Sequence, residues 1–361
     1  MEKTKNRRIG NIILIVVGLL LMTIEAQSKE VLTPAKLLQV QSCTSAEISP
    51  DGKHIAYTVS VPRKASESPG SAYNELYVIS VDPSDPIPFV TGKVNVSSPQ
   101  WSPDSKYIGF ITRRGEEAKS QVWMMPINGG EAQPVTDADN GVITYRWHPK
   151  GNKIAYTAVE QNTQKEKDLE KKGYGFIYYE ENLKHRNLYI TDIVENGKTA
   201  ITDKITEGKT VWDFEFSPDG ERIAASISPK NLIDQRYMFR KINLIDIKTK
   251  EIKQISQNPG KLGNYAFSPD GKFLTYVAAL TREDHQVSQV FVVPSAGGDT
   301  KNLTIPDFKG HVTWAGWMNN QTVIYRSGEG VWATFSTVSK NGGERKVIFD
   351  SKKEKVILGE P

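Results

Sequence analysis

The chain has 361 residues, with 46 basic and 42 acidic side chains, a formal charge of +4 and one cysteine. So even a balance excludes the strongly basic surface of a nucleic-acid binder. A lone cysteine excludes a disulfide framework.

Residues 1–26 read as an export segment. Lys3, Lys5, Arg7 and Arg8 form a basic start, and Ile12 to Met22 is an apolar run interrupted only by one glycine. That run has signal-peptide length and falls short of the roughly 20 residues of a spanning helix. Ala26 marks the cleavage point, and no cysteine stands near it for a lipid anchor. Left uncleaved, residues 9–24 would hold the protein to a membrane; cleaved, the product is periplasmic or extracellular. Removal of residues 1–26 lowers the formal charge to +2. Residues 27–42 form a lead, in which VLTPAKLLQVQS (31–42) predicts a short helix with Pro34 in its first turn.

From residue 43 a repeat governs the sequence. The words are SPDGK at 49–53, SPDSK at 102–106, HPKGN at 148–152, SPDGE at 217–221 and SPDGK at 268–272, with a worn copy, MNNQT, at 318–322. β-Branched and aromatic runs flank each word, which is the strand signal. Proline presets φ and Asp-Gly supplies the side-chain bond and the positive φ of a tight hairpin. A third and a fourth short strand follow each hairpin. Successive motifs are 53, 46, 69, 51 and 50 residues apart. Four strands per unit at a period near fifty predicts an all-β fold, a β-propeller of six four-stranded blades or an incomplete seven. The blades span about 43–91, 97–136, 143–202, 211–256, 263–304 and 312–349, and a tail, 350–361, starts another strand at KVIL (355–358). Six blades would close if residues 31–42 added to the last one; seven would need sequence beyond Pro361.

Blade one carries a Ser- and Pro-rich surface loop, Pro62 to Ala72, and blade four a lesser insertion, Ser228 to Arg240. The main departure is in blade three, residues 160–186. Its charged first half predicts a helical turn or two. Its second half gathers Tyr178, Tyr179, His185 and Arg186, the candidate rim contacts, around the pair Glu180–Glu181, because long ordered loops often carry function. Trp101, Trp147, Phe216, Phe267 and Trp317 precede the turns and are expected in the core between blades. Cys43 is expected to be a buried small residue on the first inner strand.

Motifs of chemistry are missing from the sequence. Histidines 54, 148, 185, 285 and 311 show no metal-ligand spacing. No phosphate-cradling glycine motif occurs, so no cofactor is expected.

The repeats resemble those of TolB-type propellers. LTPAKLL followed by SPDGKHIAYTVS, and DLEKKGYGFIYYEENLKHRNLYITDI in blade three, resemble the propeller of prolyl oligopeptidase-family serine peptidases, especially the acylaminoacyl-peptidase and exported dipeptidyl-peptidase branches. In that family the propeller gates a catalytic α/β-hydrolase domain. In the dipeptidyl-peptidase branch a Glu pair binds the substrate's free amino group. The resemblance thus implies that Glu180 and Glu181 hold a peptide amine; the alternative is a solvated pair partnered by Lys184 or Arg186. The hydrolase nucleophile lies in a Gly-x-Ser-x-Gly elbow, and no such pentapeptide occurs here. The expectation is an exported, non-catalytic propeller that binds or gates peptides or a protein partner. The alternatives are the propeller half of a truncated or split serine exopeptidase, acting with a separate α/β-hydrolase domain, and a TolB-like envelope interaction propeller.

Overall fold

The computed structural model describes residues 31–357, apart from 83, 116–117, 176–179, 195–200 and 305–307. The export segment, Tyr178 and Tyr179 lie outside the described residues. The chain divides into two units, 1–42 with 61–72 and 43–60 with 73–361. In the smaller unit, Thr33 caps the helix Pro34–Leu37, its hydroxyl accepting from the Lys36 amide at 3.3 Å. In its loop, Arg63 Nε donates to the Ser71 carbonyl at 2.8 Å.

The larger unit is a propeller of six antiparallel sheets, each of four strands. Every sheet is built from consecutive strands, beginning with Ser42–Ile48, Ser97–Trp101, Val142–Trp147, Thr210–Phe216, Leu262–Phe267 and His311–Asn319. Among the described residues the last sheet contains only strands from His311 to Asp350, and residues 31–41 form no strand. No strand forms over the described part of KVIL: Ser351–Glu354 is a helical turn capped by Asp350, and Lys355 to Ile357 are irregular. The Asp350 carboxylate captures the Lys352 amide at 2.9 Å, which turns the chain out of the sheet.

The repeated word folds by one mechanism. Ser49 Oγ donates to Asp51 Oδ1 at 2.6 Å and accepts from the His54 amide at 2.9 Å. Asp51 Oδ1 accepts from the Lys53 amide at 3.1 Å, and Gly52 takes a φ of +72°. Ser102, Ser217 and Ser268 repeat the pattern with Asp104, Asp219 and Asp270. In the worn copy Asn319 does the work of the aspartate, accepting from the Gln321 and Thr322 amides. His148 replaces serine in blade three. Its Nδ1 accepts from the Lys150 amide at 3.1 Å, and its Nε2 lies 3.0 Å from the Gly220 carbonyl of the next blade's turn. Gly220 is required twice over, since its φ is +75° and a Cβ there would sit 2.4 Å from His148 Nε2.

Neighbouring sheets pack face to face. Leu76 and Val78 of blade one meet Trp101, Ile108 and Phe110 of blade two. Four more clusters of this kind join blades two and three, three and four, four and five, and five and six. The turn-preceding aromatics fill these interfaces as their spacing predicts, with Trp101, Trp147, Phe216 and Phe267 buried and Trp317 partly so. Among the described residues no such cluster joins blade six to blade one. Ile48, in the position those aromatics take, is 66 % exposed. Ile55 and Tyr57 are half-buried where blade two has the fully buried Ile108 and Phe110. Cys43 is on the first inner strand as expected, but it is exposed, because that strand's side chains have no buried cluster to enter.

Candidate functional site

The inner strands carry a ladder of polar side chains that bond from blade to blade. Gln100 Nε2 donates to the Tyr145 carbonyl at 3.0 Å. The Arg146 guanidinium lies 3.5 Å from the Asp213 carboxylate. Glu215 Oε1 accepts from the Phe267 amide at 3.4 Å, and Asn264 exchanges two bonds with Ala315, at 2.7 and 3.0 Å. Burial pushes Glu215 up to about 7, and burial also raises Glu47, although Arg146 opposes both. Alternation along a strand puts these residues on one face while their neighbours enter the core.

At the end opposite the SPDG turns, the long connections of blades three and four meet. The blade-three connection contains the helix Gln164–Lys171, started by a capping box between Thr163 and Glu166. Lys184 returns to that helix with its ammonium 2.6 Å from Glu166. This bond, with those from Thr163, draws the Glu166 carboxyl down to about 2. Glu160 accepts from the His185 amide at 3.0 Å and from Asn187 Nδ2 at 2.9 Å, and His185 Nδ1 lies 3.1 Å from Thr210 Oγ1 in blade four. Asn231 Nδ2, in the blade-four connection, donates to the Lys184 carbonyl at 2.8 Å and ties the two connections together.

Trp212 stands at this meeting point. Its indole donates to Ser228 Oγ at 2.8 Å, and the guanidinium carbons of Arg186 and Arg236 lie 4.9 and 5.8 Å from its ring centre. Burial and the neighbouring Arg236 pull the Arg186 pKa down. The blade-four connection ends in a π-helical turn, Gln235–Phe239, followed by Arg240, which donates to the Leu262 carbonyl of blade five.

Of the residues singled out in the sequence, His185 and Arg186 thus sit at the junction of the two connections. Glu180 and Glu181, a few residues earlier in the chain, are exposed, with Glu180 at a φ of +59°. Lys184 and Arg186 are engaged elsewhere, with Glu166 and Trp212 respectively. Sequence reading missed Trp212, Arg236 and Arg240, because nothing in a local strand or insertion pattern signals a stack assembled from two blades. A second feature is a groove of about 950 Å³ between blades two and three, where Arg114 lies 4.6 Å over Trp123 and Tyr156 stacks on Tyr189 at 5.3 Å. Among the described residues no group of three His, Cys, Asp or Glu could hold a metal ion, and no helix is long and apolar enough to cross a membrane.

No family model matches the chain. The uncharacterized peptidase YuxL of Bacillus subtilis is 25% identical over 256 residues, covering 71% of this chain and 32% of that protein. Dipeptidyl-peptidase 5 of Porphyromonas gingivalis is 25% identical over 320 residues, covering 82% of this chain and 46% of its own length. The chain therefore spans less than half of the curated relatives it matches, and it covers the propeller portion of the dipeptidyl-peptidase 5 proteins. Among solved structures, acylaminoacyl peptidase of Pyrococcus horikoshii superposes with a TM-score of 0.59 at 15% identity, over 86% of this chain and 46% of that one. The propeller domain of the trilobed protease of Pyrococcus furiosus gives 0.56 at 17%, over 86% and 85%. The protein is a β-propeller like the N-terminal propeller of the prolyl oligopeptidase and acylaminoacyl peptidase family.

Proposed function

We propose that this propeller binds short peptides at the rim where the blade-three and blade-four connections meet, and that it gates them for a prolyl oligopeptidase-type serine peptidase. The observation that carries this reading is the junction itself. Two insertions are fastened across a blade boundary by the Asn231–Lys184 bond, Arg186 and Arg236 stack over Trp212 of the inner strand Thr210–Phe216, and Glu180 and Glu181 are exposed on the blade-three connection. An aromatic face with flanking charges suits a peptide, which offers amide planes, side chains and two charged ends. The blade walls beneath are close-packed and rigid, so the rim selects by size. Acyl transfer needs a nucleophile, a base and an oxyanion hole together, and the six antiparallel sheets offer no α/β-hydrolase elbow to hold them. Hydrolysis therefore belongs to a separate catalytic domain, and the site of action is outside the cytoplasm, following the export segment.

Two measurements test this. Labelled peptides of three to eight residues should bind the purified chain, while a folded protein of similar charge should not; equal binding of both would exclude a gate. An antibody against the propeller should detect, in source cells, a product larger by a hydrolase domain of on the order of 250 residues. A band slightly below 40.3 kDa would instead favour a stand-alone binding propeller that acts with a separate peptidase.

A further inference from the structure

The rim holds a cluster of arginines that, among the described residues, no carboxylate pairs. Arg186, Arg236 and Arg240 converge from blades three and four; burial lowers the pKa of Arg186 and of Arg240, and the Arg236 charge adds to it in both. Among the described residues none of the three has a carboxylate within salt-bridge distance. Arg186 Nε and Arg240 Nε are buried with no hydrogen-bond partner. Arg282 extends the patch, its guanidinium 4.7 Å over Phe239, and Lys241 lies next to it, its pKa lowered by burial and by Arg282. Like charges do not gather at a cost in repulsion and desolvation unless something offsets it. Stacking on Trp212 holds two of the guanidiniums in place, but among the described residues no hydrogen bond engages their donor edges.

We infer that this arginine cluster is a recognition site for the carboxylate of a peptide, and specifically for its C-terminal end. Guanidinium forks match a carboxylate in two parallel bonds. Asp213, whose field reaches Arg240, is engaged by Arg146 at 3.5 Å. That residual negative charge favours a monoanion over a phosphate dianion. The apolar surface of Trp212, Tyr237 and Phe239 around the cluster suits the last side chain of a peptide. This inference rests on the peptide-binding reading above and assigns an end of the peptide to it.

The test uses the full chain and three N-terminally labelled probes: penta-alanine with a free C-terminus, penta-alanine amide, and Ala-Ala-Glu-Ala-Ala amide. Fluorescence anisotropy should show the free acid binding about tenfold or more tighter than the amide, the scale of a lost charged hydrogen bond. Arg236→Ala, an exposed position that should fold, should remove that preference, while Lys346→Ala on blade six should leave it intact. Equal binding of acid and amide overturns the inference and leaves peptide binding standing. Preference for the Glu-containing amide over the free acid overturns the assignment to the C-terminus. Acetate against chloride at equal ionic strength supplies the separate readout. Acetate should raise Tm and quench Trp212 in the wild type and not in Arg236→Ala. If no peptide binds but this response is present, peptide binding fails and the carboxylate site stands; if the response is absent too, both fail.

Discussion

The Trp101 indole in blade two donates to the Glu47 carbonyl in blade one at 2.9 Å, and Trp147 and Trp317 repeat the bond with Gln100 and Ala266 at 3.3 and 3.0 Å. Each tryptophan therefore fills the interface and satisfies an acceptor of the preceding inner strand. Trp101→Phe keeps most of the packing and orphans the Glu47 carbonyl, at about 1–3 kcal/mol. Trp101→Ala also opens a cavity and should cost about 3–5 kcal/mol. Ile48 occupies the same repeat position with 66 % exposure, so Ile48→Ser should cost less than about 0.5 kcal/mol. The loss in urea midpoint should be largest for Trp101→Ala, intermediate for Trp101→Phe and smallest for Ile48→Ser; a large loss for Ile48→Ser would mean that the blade-one face is covered.

That contrast shows what the sequence makes legible. The SPDG words reveal the blades because their turn chemistry is local: a serine, an aspartate and a glycine within four residues satisfy one another. The aromatic before each turn is equally legible, as burial follows from the strand pattern. The fate of Cys43 and Ile48 is not legible, because the same pattern reads as core whether or not a neighbouring blade covers it. The KVIL run fails as a strand for a related reason: its apolar residues carry strand propensity, and the Asp350 cap redirects the chain before they can pair. At the rim, Arg186 stands out in the sequence only through its unusual connection, and its partners Trp212 and Arg236 come from the next blade, 26 and 50 residues onward. The TolB resemblance comes from the turn words alone and speaks to fold.

Cys43 gives a direct probe of that uncovered strand. It is the single cysteine of the chain, and it is exposed. One equivalent of a thiol reagent should therefore react with the native protein, at a rate close to that of the urea-unfolded chain. Protection by more than about a hundredfold, the mark of a group reached only by opening, would place a covering element over the blade-one inner strand.

The rim connection should be held by its helix cap. Thr163 accepts from the Glu166 amide while Glu166 returns to the Thr163 amide at 2.6 Å. Thr163→Ala removes half of this box, worth about 1 kcal/mol. Trypsin should then cleave in the lysine-rich stretch 165–172 about fivefold faster, with the far-UV spectrum of the β core unchanged. Unchanged cleavage would show that the Lys184–Glu166 pair alone fixes the segment.

The turn serine should couple stability to acid. Ser217 is fully buried, and its hydroxyl both serves Asp219 and receives the Arg222 amide at 3.0 Å. The Ser217 bond is the main reason the Asp219 pKa lies below its ordinary value. A lowered carboxyl adds stability above its unfolded pKa and loses it as pH falls through the folded one. Ser217→Ala should thus cost about 1–3 kcal/mol at pH 7 and less near pH 3. A deficit independent of pH would mean that the serine acts through packing alone.

Glu215 should do the opposite. Burial lifts it from 4.5 to about 7, and the Arg146 charge and the Phe267 amide offset only part of that cost. A carboxyl whose pKa is raised by folding holds its proton more tightly in the native state. Its contribution to stability is therefore complete below about pH 4.5 and is lost as pH climbs through 7. Glu215→Gln keeps an acceptor for the Phe267 amide and removes the titration. The variant should match the wild type near pH 5 and exceed it at pH 8 by about 2 kcal/mol, the scale of a partly enclosed group shifted this far. Urea titrations at both pH values measure this, and a variant equally stable or less stable than wild type at pH 8 would show that the Phe267 amide and Arg146 already keep the carboxylate ionised. Since Glu215 and Asp213 share the inner ladder with Arg146, the same titration would alter the charge a peptide meets beyond the rim, so peptide affinity should change over the same interval of pH.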